Sequence, residues 1–292
     1  MNPLFKGVQS NDPKDLVNFI IMTLHEELNK VSKNQNKNNN NILIDQTNNQ
    51  LILNNFISDF AKENRSIISD LFYGINITIN RCSYCVVTKY NYQSYSFLIF
   101  PLEEVRKLKM EILTNQFLLM NQNMFNMNLM LFQQNLFDFQ SQLEKNKIVD
   151  INDCFLYNQK MEEKSIFCNR CKIICSSSHC TKLYTTPQIL IIYFHREQKD
   201  DLIKIEFDEN LNLSNFIELK QAGYIYKLIG IVTILKGNDS NEKIIAYCKS
   251  PIDCKWYKYN DDIVIKVYNF KEEVIDNAIP YILIFQKNEI NY

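Results

Sequence analysis

The chain has 292 residues, which is long enough to bury one large core or two modest ones. Its 46% hydrophobic and 22% charged residues are typical of a globular protein, and a net charge of −1 excludes recruitment of nucleic acid or an anionic membrane by a global field. No apolar run has the length of a membrane span, and nine cysteines without a signal-peptide pattern favour a reducing compartment. We therefore expect an intracellular protein, cytoplasmic or nuclear, with no membrane or nucleic-acid partner.

The first predicted element is a helix within residues 5–30. Asp12 is a suitable N-cap, and Pro13 suits the first helical position. Apolar residues then recur every four positions, which predicts one apolar face. These residues are Leu16, Ile20, Leu24 and Leu28, with Val17 and Ile21 beside them.

The next segments alternate between low complexity and strand patterns. Residues 32–50 are rich in Asn, and we interpret them as a disordered insertion. From residue 66 the pattern favours strands, at 75–79, 86–90 and 95–100. Residues 103–147 contain no Gly or Pro, which predicts a partly helical insertion at about 104–147.

Two cysteine pairs with a two-residue gap flank this insertion: Cys82 with Cys85, and Cys168 with Cys171. Nine cysteines in a chain of this length would give roughly 0.3 such pairs by chance. Four thiolates arranged by two tight turns are a typical structural Zn²⁺ site, with no position left open for chemistry. The alternatives are one true metal-binding turn beside a chance pair, or two disulfides.

The last hundred residues are predicted to be nearly all strand, after a short helix at 150–160 and a strand at 162–171. Apolar alternation bounded by turn residues indicates seven strands. They lie at 188–194, 203–207, 224–235, 244–247, 255–259, 263–268 and 281–285. So many closely spaced strands predict a mostly antiparallel sheet, and the chain is therefore of the α+β class.

The order of these segments resembles the ubiquitin-specific protease domain, the papain-like cysteine proteases that cleave after the C-terminus of ubiquitin. The matching stretches are 5–16, 24–29, 69–74, 149–154, 187–196, 226–232, 256–262 and 281–285, together with the two cysteine pairs. The resemblance implies a thumb, palm and fingers architecture with zinc-tied β fingers. It assigns residues 1–31 to a truncated thumb, 51–182 to the fingers and 183–292 to the palm.

The chain departs from this family at the residues that carry out its chemistry. The family's nucleophile lies in a Gly-Asn-x-Cys-Tyr box upstream of the stretch that begins at Phe5, and no such box is present. Lys243 occupies the position of the catalytic histidine, while the orienting position survives as Asn260, followed by Asp261. A lysine has an unperturbed pKa of about 10.4, so at neutral pH it does not accept a thiol proton.

Asp12 and Asp15 have two compatible interpretations. The resemblance implies that this acidic pair faces the arginines of the ubiquitin tail through charge-assisted hydrogen bonds. Their positions at the start of the first predicted helix also suit helix capping.

These observations lead to three hypotheses of function. The first is a ubiquitin-specific-protease-like domain that is catalytically deficient and binds ubiquitin or a ubiquitinated protein. The second is an active cysteine-type deubiquitinase whose nucleophile comes from a segment absent from this sequence. The third is a scaffold that does not bind ubiquitin.

Overall fold

The computed structural model describes residues 12–31, 47–122, 129–145, 148–196, 203–220, 223–236 and 242–288. Most of the predicted insertion at 32–50 and the first part of the matching stretch 5–16 lie outside these residues. The helices are α1 Pro13–Leu28, α2 Asn49–Glu63, α3 Ile67–Phe72, α4 Leu102–Met120, α5 Leu129–Lys145 and α6 Ile151–Asn158, with one π-helical turn at Lys271–Ile275. In the described part, no helix is both long and apolar enough to cross a membrane.

Helix α1 begins where the capping residues predict, and only one side of its predicted apolar face is buried. The Asp12 carboxylate accepts a hydrogen bond from the Lys14 N–H. Ile21 is buried and Val17 packs beside it, on a cluster that includes the palm residues Ile191, Tyr193 and Ile282. The neighbouring row of four leucine and isoleucine side chains is 40–47% exposed: Leu16, Ile20, Leu24 and Leu28. Of the predicted apolar face, the side with Val17 and Ile21 therefore contacts the sheet, and the row beside it does not.

Helices α2 and α3 lie before the first predicted strand at 75–79, and neither of them was predicted from the sequence. Asn48 caps α2 by accepting a hydrogen bond from Leu51 N–H, so the helix starts before the predicted insertion ends at residue 50. Ser66 and Ser69 form a reciprocal capping box that starts α3. These short polar caps start two helices in the segment that precedes the fingers sheet.

The fingers are a four-stranded antiparallel sheet in the order β2-β1-β6-β5. Its strands are β1 Gly74–Cys82, β2 Thr88–Tyr95, β5 Glu162–Cys168 and β6 Ile173–Thr185. Helix α2 lies against this sheet through a small core of Leu53, Ile77 and Tyr92. Strand β6 was not predicted, because its Ser- and Cys-rich sequence lacks the apolar alternation that marks the other strands.

The palm is an eight-stranded sheet in the order β13-β12-β11-β10-β14-β7-β3, with β9 paired to β10. All its pairs are antiparallel except β3 with β7. The strands are β3 Leu98–Pro101, β7 Ile189–His195, β9 Asn210–Asn212, β10 Ile225–Lys236, β11 Glu242–Lys249, β12 Trp256–Asn260, β13 Ile263–Lys266 and β14 Pro280–Lys287. The predicted antiparallel palm and α+β class are confirmed.

One face of the palm carries the main hydrophobic core, and the other face carries α1 and α3. Leu190, Phe194, Leu283 and Phe285 are fully buried in the main core. Helices α4 and α5 lie in the predicted insertion, and α4 is attached to this core by its first turn, where Leu102 and Val105 are buried. A separate two-stranded parallel pair joins β4 Ile148–Asp150 to β8 Lys204–Glu206.

Candidate functional site

The tip of the fingers is built from two turns of the same geometry. Strand β1 ends at Cys82, and the Val86 N–H donates a hydrogen bond to the Cys82 carbonyl at 3.0 Å. Strand β5 ends at Cys168, and the Lys172 N–H donates to the Cys168 carbonyl at 2.8 Å. Val86 and Lys172 both adopt left-handed backbone conformations, with φ of 60° and 61°. Residues other than glycine rarely adopt this backbone conformation, so contacts with the rest of the fingers must stabilise each turn.

These turns bring the four predicted ligands together. The Sγ atoms of Cys82, Cys85, Cys168 and Cys171 all lie within 4.8 Å of one another. Two of the separations are 3.9 Å, for Cys82 with Cys171, and 3.6 Å, for Cys85 with Cys168. A tetrahedral ZnS₄ centre with Zn–S bonds of about 2.3 Å has sulfurs about 3.8 Å apart. All nine cysteines are free thiols, so the cluster has the donor set and spacing that could bind Zn²⁺.

The backbone of each turn favours the thiolate form that binds metals. A hydrogen bond from the Cys85 N–H is the largest cause that lowers the pKa of Cys82, to about 6. The Cys171 N–H lowers the pKa of Cys168 in the same way. Because Zn²⁺ binds thiolates, these donors reduce the cost of releasing protons when the metal binds.

Cys175 lies beside this centre, whereas the nearby His179 has a partner of its own. A fifth thiol, Cys175, lies with its Sγ 3.3 Å from the Cys82 Sγ, and sequence analysis did not include it. Its position four residues beyond Cys171 is a signal that could have included it. His179 lies on the same strand, but its Nδ1 is hydrogen-bonded to Asn80 Oδ1 at 2.7 Å.

The residues that the resemblance assigns to the catalytic remnant lie on, or directly after, two strands of the palm sheet. Lys243 is the second residue of β11, where its backbone pairs with Leu235, and Asn260 is the last residue of β12. Asp261 follows in the hairpin turn with a φ of 53°. Asn260 Oδ1 is buried and, within the residues that the structure describes, has no hydrogen-bond partner. A buried acceptor without a donor is uncommon, and this atom is one of eight buried side-chain polar atoms without a partner among the described residues.

No histidine donates to that acceptor. His25 is hydrogen-bonded to Ser66 and Asn64, and His179 to Asn80. His195 is the last residue of β7.

Three thiols outside the fingers tip have raised pKa values. Burial is the largest cause that raises the pKa of Cys154, Cys180 and Cys248, so these thiols stay protonated at neutral pH. None of the three therefore has the lowered pKa of a catalytic cysteine.

The two acidic residues of α1 are held differently. Asp12 Oδ1 accepts from the Lys14 N–H and from the Tyr281 hydroxyl, both at 2.8 Å, which ties the start of α1 to β14. The Asp15 side chain is 69% exposed, and its nearest described cation is Lys14 Nζ at 3.6 Å. Capping is therefore a role that Asp12 fills, while the Asp15 carboxylate faces solvent. Tyr281 was not singled out from the sequence, because its partner Asp12 lies 269 positions away along the chain.

The fold and the thiol cluster define an α+β domain with metal-binding fingers, and the comparisons place it in a family. The model of the family described as ubiquitin carboxyl-terminal hydrolase matches residues 1–285. The chain belongs to this family. The resemblance found in the sequence is thereby confirmed.

Individual relatives agree with this assignment. The chain is 21% identical over 294 residues to ubiquitin carboxyl-terminal hydrolase Usp2 of Drosophila melanogaster, covering 97% of this chain and 26% of that protein. It is similar in fold to the SAGA Ubp8/Sgf11/Sus1/Sgf73 DUB module, with a TM-score of 0.58 and 18% identity over 98% of this chain and 51% of that one. A SAGA DUB module bound to monoubiquitin matches with a TM-score of 0.54 and 19% identity, over 83% of this chain and 48% of that one. The chain thus spans about a quarter of this curated relative and about half of these structures.

Proposed function

We propose that this chain is a ubiquitin-specific-protease-like domain that binds ubiquitin or a ubiquitinated protein and does not cleave it. The observation that carries the proposal is the buried Asn260 Oδ1, which has no partner among the described residues, in a chain where the resemblance aligns Lys243 with the catalytic histidine. In a cysteine protease the base takes the thiol proton and the third residue orients the base. Here the orienting residue is retained without an imidazole to orient.

Ubiquitin binding is supported by family membership and by a relative of the same fold. A solved SAGA DUB module with that fold is described as bound to monoubiquitin. On this chain we assign the contact with the basic ubiquitin tail mainly to Asp15, because its exposed carboxylate is available for charge-assisted hydrogen bonds. Asp12 uses Oδ1 for the helix cap and for Tyr281, and its Oδ2 lies 3.8 Å from Lys14 Nζ.

Titration of fluorescent ubiquitin with the purified chain tests binding. We expect saturable binding that Asp15→Asn weakens about tenfold, the equivalent of about 1.4 kcal/mol. The matched control is Asp59→Asn on α2, where the carboxylate is 70% exposed and pairs with Lys62. Equal affinity of the two variants would contradict the role of Asp15, and no binding at high micromolar concentration would favour the scaffold hypothesis.

Labelling with ubiquitin vinyl sulfone tests the absence of a nucleophile. This reagent forms a covalent adduct with the catalytic thiol of a cysteine-type deubiquitinase. We expect no adduct on the chain under conditions that label an active family member completely. A single adduct that disappears when one cysteine is changed to Ser would overturn the proposal.

The second candidate is an active cysteine-type deubiquitinase whose nucleophile comes from sequence outside this chain. The observation that favours it is the exposed apolar row on α1, where Leu16 and Leu28 are both 47% exposed. Such a row is suited to pack against a further segment. Sequencing of the transcript upstream of Met1 tests this candidate, since an in-frame Gly-Asn-x-Cys-Tyr box would support it and a stop codon in every frame would exclude it.

A further inference from the structure

Strand β6, one of the two inner strands of the fingers sheet, carries a thiol that the four-cysteine centre does not include. Cys175 is 5% exposed, and its Sγ lies 3.3 Å from the Cys82 Sγ. Its other described contacts are weak, to the Ile166 carbonyl at 3.8 Å and to Ser177 Oγ at 3.9 Å. Cys82 is therefore the nearest polar partner of this thiol.

The register of the sheet explains why Cys175 meets the centre. On β6, Ser177 pairs with Cys82 of β1, and Ile173 pairs with Cys168 of β5. Residues directly opposite in antiparallel strands share a face, as do residues two apart along one strand. Cys175 lies midway between Ile173 and Ser177, so it shares a face with Cys82 and Cys168. The burial of Cys82, Cys168 and Cys175 in one cluster agrees with this placement.

We propose that Cys175 is a reserve ligand of this metal centre, which binds Zn²⁺ when Cys82 does not. In the loaded centre the four sulfurs of the two turns complete the tetrahedron, and the Cys175 thiol remains outside it against the Cys82 sulfur. When Cys82 leaves the ion, Cys175 releases its proton to water and its thiolate takes the vacated position. The move covers about the 3.3 Å that separates the two sulfurs, within reach of side-chain rotation and a small shift of the ion.

This placement predicts that the four ligands are not equivalent. Cys82 has a thiol beside it that can replace it. Among the described residues, the thiol found beside Cys168 is Cys85, whose Sγ lies 3.6 Å away and which is itself a ligand. Loss of Cys168 therefore leaves three thiolates, whereas loss of Cys82 leaves four.

Co²⁺ titration of the full chain tests the inference, because thiolate-to-Co²⁺ charge-transfer absorption increases with the number of bound thiolates. We expect Cys82→Ser to bind one equivalent with the wild-type charge-transfer intensity. The double variant Cys82→Ser/Cys175→Ser should lose about a quarter of that intensity and bind at least about tenfold more weakly. The matched control is Cys82→Ser/Cys180→Ser, which removes another buried thiol of the same strand and should behave like Cys82→Ser.

Equal spectra and affinities for Cys82→Ser and Cys82→Ser/Cys175→Ser would overturn the inference. If Cys82→Ser does not fold without metal, recovery of its far-ultraviolet circular dichroism during Zn²⁺ titration replaces the Co²⁺ spectrum. Recovery in Cys82→Ser and Cys82→Ser/Cys180→Ser, but not in Cys82→Ser/Cys175→Ser, supports the reserve ligand. Failure of all three to recover, or recovery of all three, refutes it.

Discussion

The tie between α1 and the palm gives a prediction whose magnitude follows from the structure. The Tyr281 hydroxyl donates to Asp12 Oδ1 at 2.8 Å, across 269 positions of sequence. A hydrogen bond to a charged group contributes about 1.5–3 kcal/mol to stability. The Asp12 side chain is 30% exposed and can be hydrated when the phenol is removed, so we expect the lower end of that range. Tyr281→Phe should therefore lower the free energy of unfolding by about 1.5 kcal/mol.

A double-mutant cycle separates this bond from the helix cap. Asp12→Ala removes both, and loss of a cap costs about 1 kcal/mol, so we expect a total of about 2.5 kcal/mol. In the double variant the Tyr281 bond is already lost, so the coupling between the two sites should be about 1.5 kcal/mol. Burial, and after it the hydrogen bond to the Asp12 carboxylate, raise the pKa of Tyr281. The hydroxyl is therefore protonated at neutral pH and can donate this bond.

The assay is urea unfolding at neutral pH with saturating Zn²⁺, followed by circular dichroism. Trp256 fluorescence provides a second probe, since this residue is buried and stacks on Phe270. Tyr268→Phe is the control, because that side chain is 85% exposed and should change stability by less than about 0.5 kcal/mol. A coupling energy below about 0.5 kcal/mol would refute the tie between α1 and β14.

Three further predictions concern the fingers. We expect metal analysis to find one equivalent of Zn²⁺ in the wild-type chain and in Cys180→Ser, but none in Cys168→Ser. Retention of Zn²⁺ by both variants would contradict the metal centre. Gly74→Ala places a Cβ 2.5 Å from the Tyr95 ring, so urea unfolding should show a loss of about 1–3 kcal/mol, and an unchanged midpoint would refute this close contact. Burial, followed by the nearby Tyr184, raises the pKa of Tyr92 to about 12, against about 10 in an unfolded chain. The unfolded state then loses its proton first, so stability should fall between about pH 10 and 12, and Tyr92→Phe should reduce this slope; an equal slope would show that Tyr92 is not responsible.

The palm and the metal ligands were the most predictable parts of the molecule. Apolar runs bounded by turn residues indicated seven strands, six of which lie in the palm sheet, while the seventh is β8 in the separate pair with β4. Strands β7 and β14 bury side chains on both faces, and β10 alternates buried and exposed residues. The two-residue gap between paired cysteines indicated the turns that now place four sulfurs within 4.8 Å. Both patterns involve residues close together in the sequence, so they can be recognised without knowledge of the tertiary structure.

The features that were missed depend on contacts between distant segments. The pattern of α1 shows two adjacent apolar rows, and only packing decides that Val17 and Ile21 meet the sheet while the row of Leu16 does not. Cys175 joins the metal centre because β6 lies between β1 and β5, a strand order that the sequence does not reveal.

The segment boundaries at 31, 50, 182 and 183 stay predictions, as does the ubiquitin-binding role of Asp12 and Asp15.

Fluorescence polarisation of ubiquitin joined through an isopeptide bond to a fluorescent peptide tests the central claim most directly. Binding slows the tumbling of the fluorophore and raises its polarisation, whereas cleavage releases a small peptide and lowers polarisation below the starting value. We expect the purified chain to raise the polarisation to a plateau that stays constant for hours. A decrease below the starting value that stops when a thiol is alkylated would contradict the account, and an unchanged signal at every concentration would contradict ubiquitin binding.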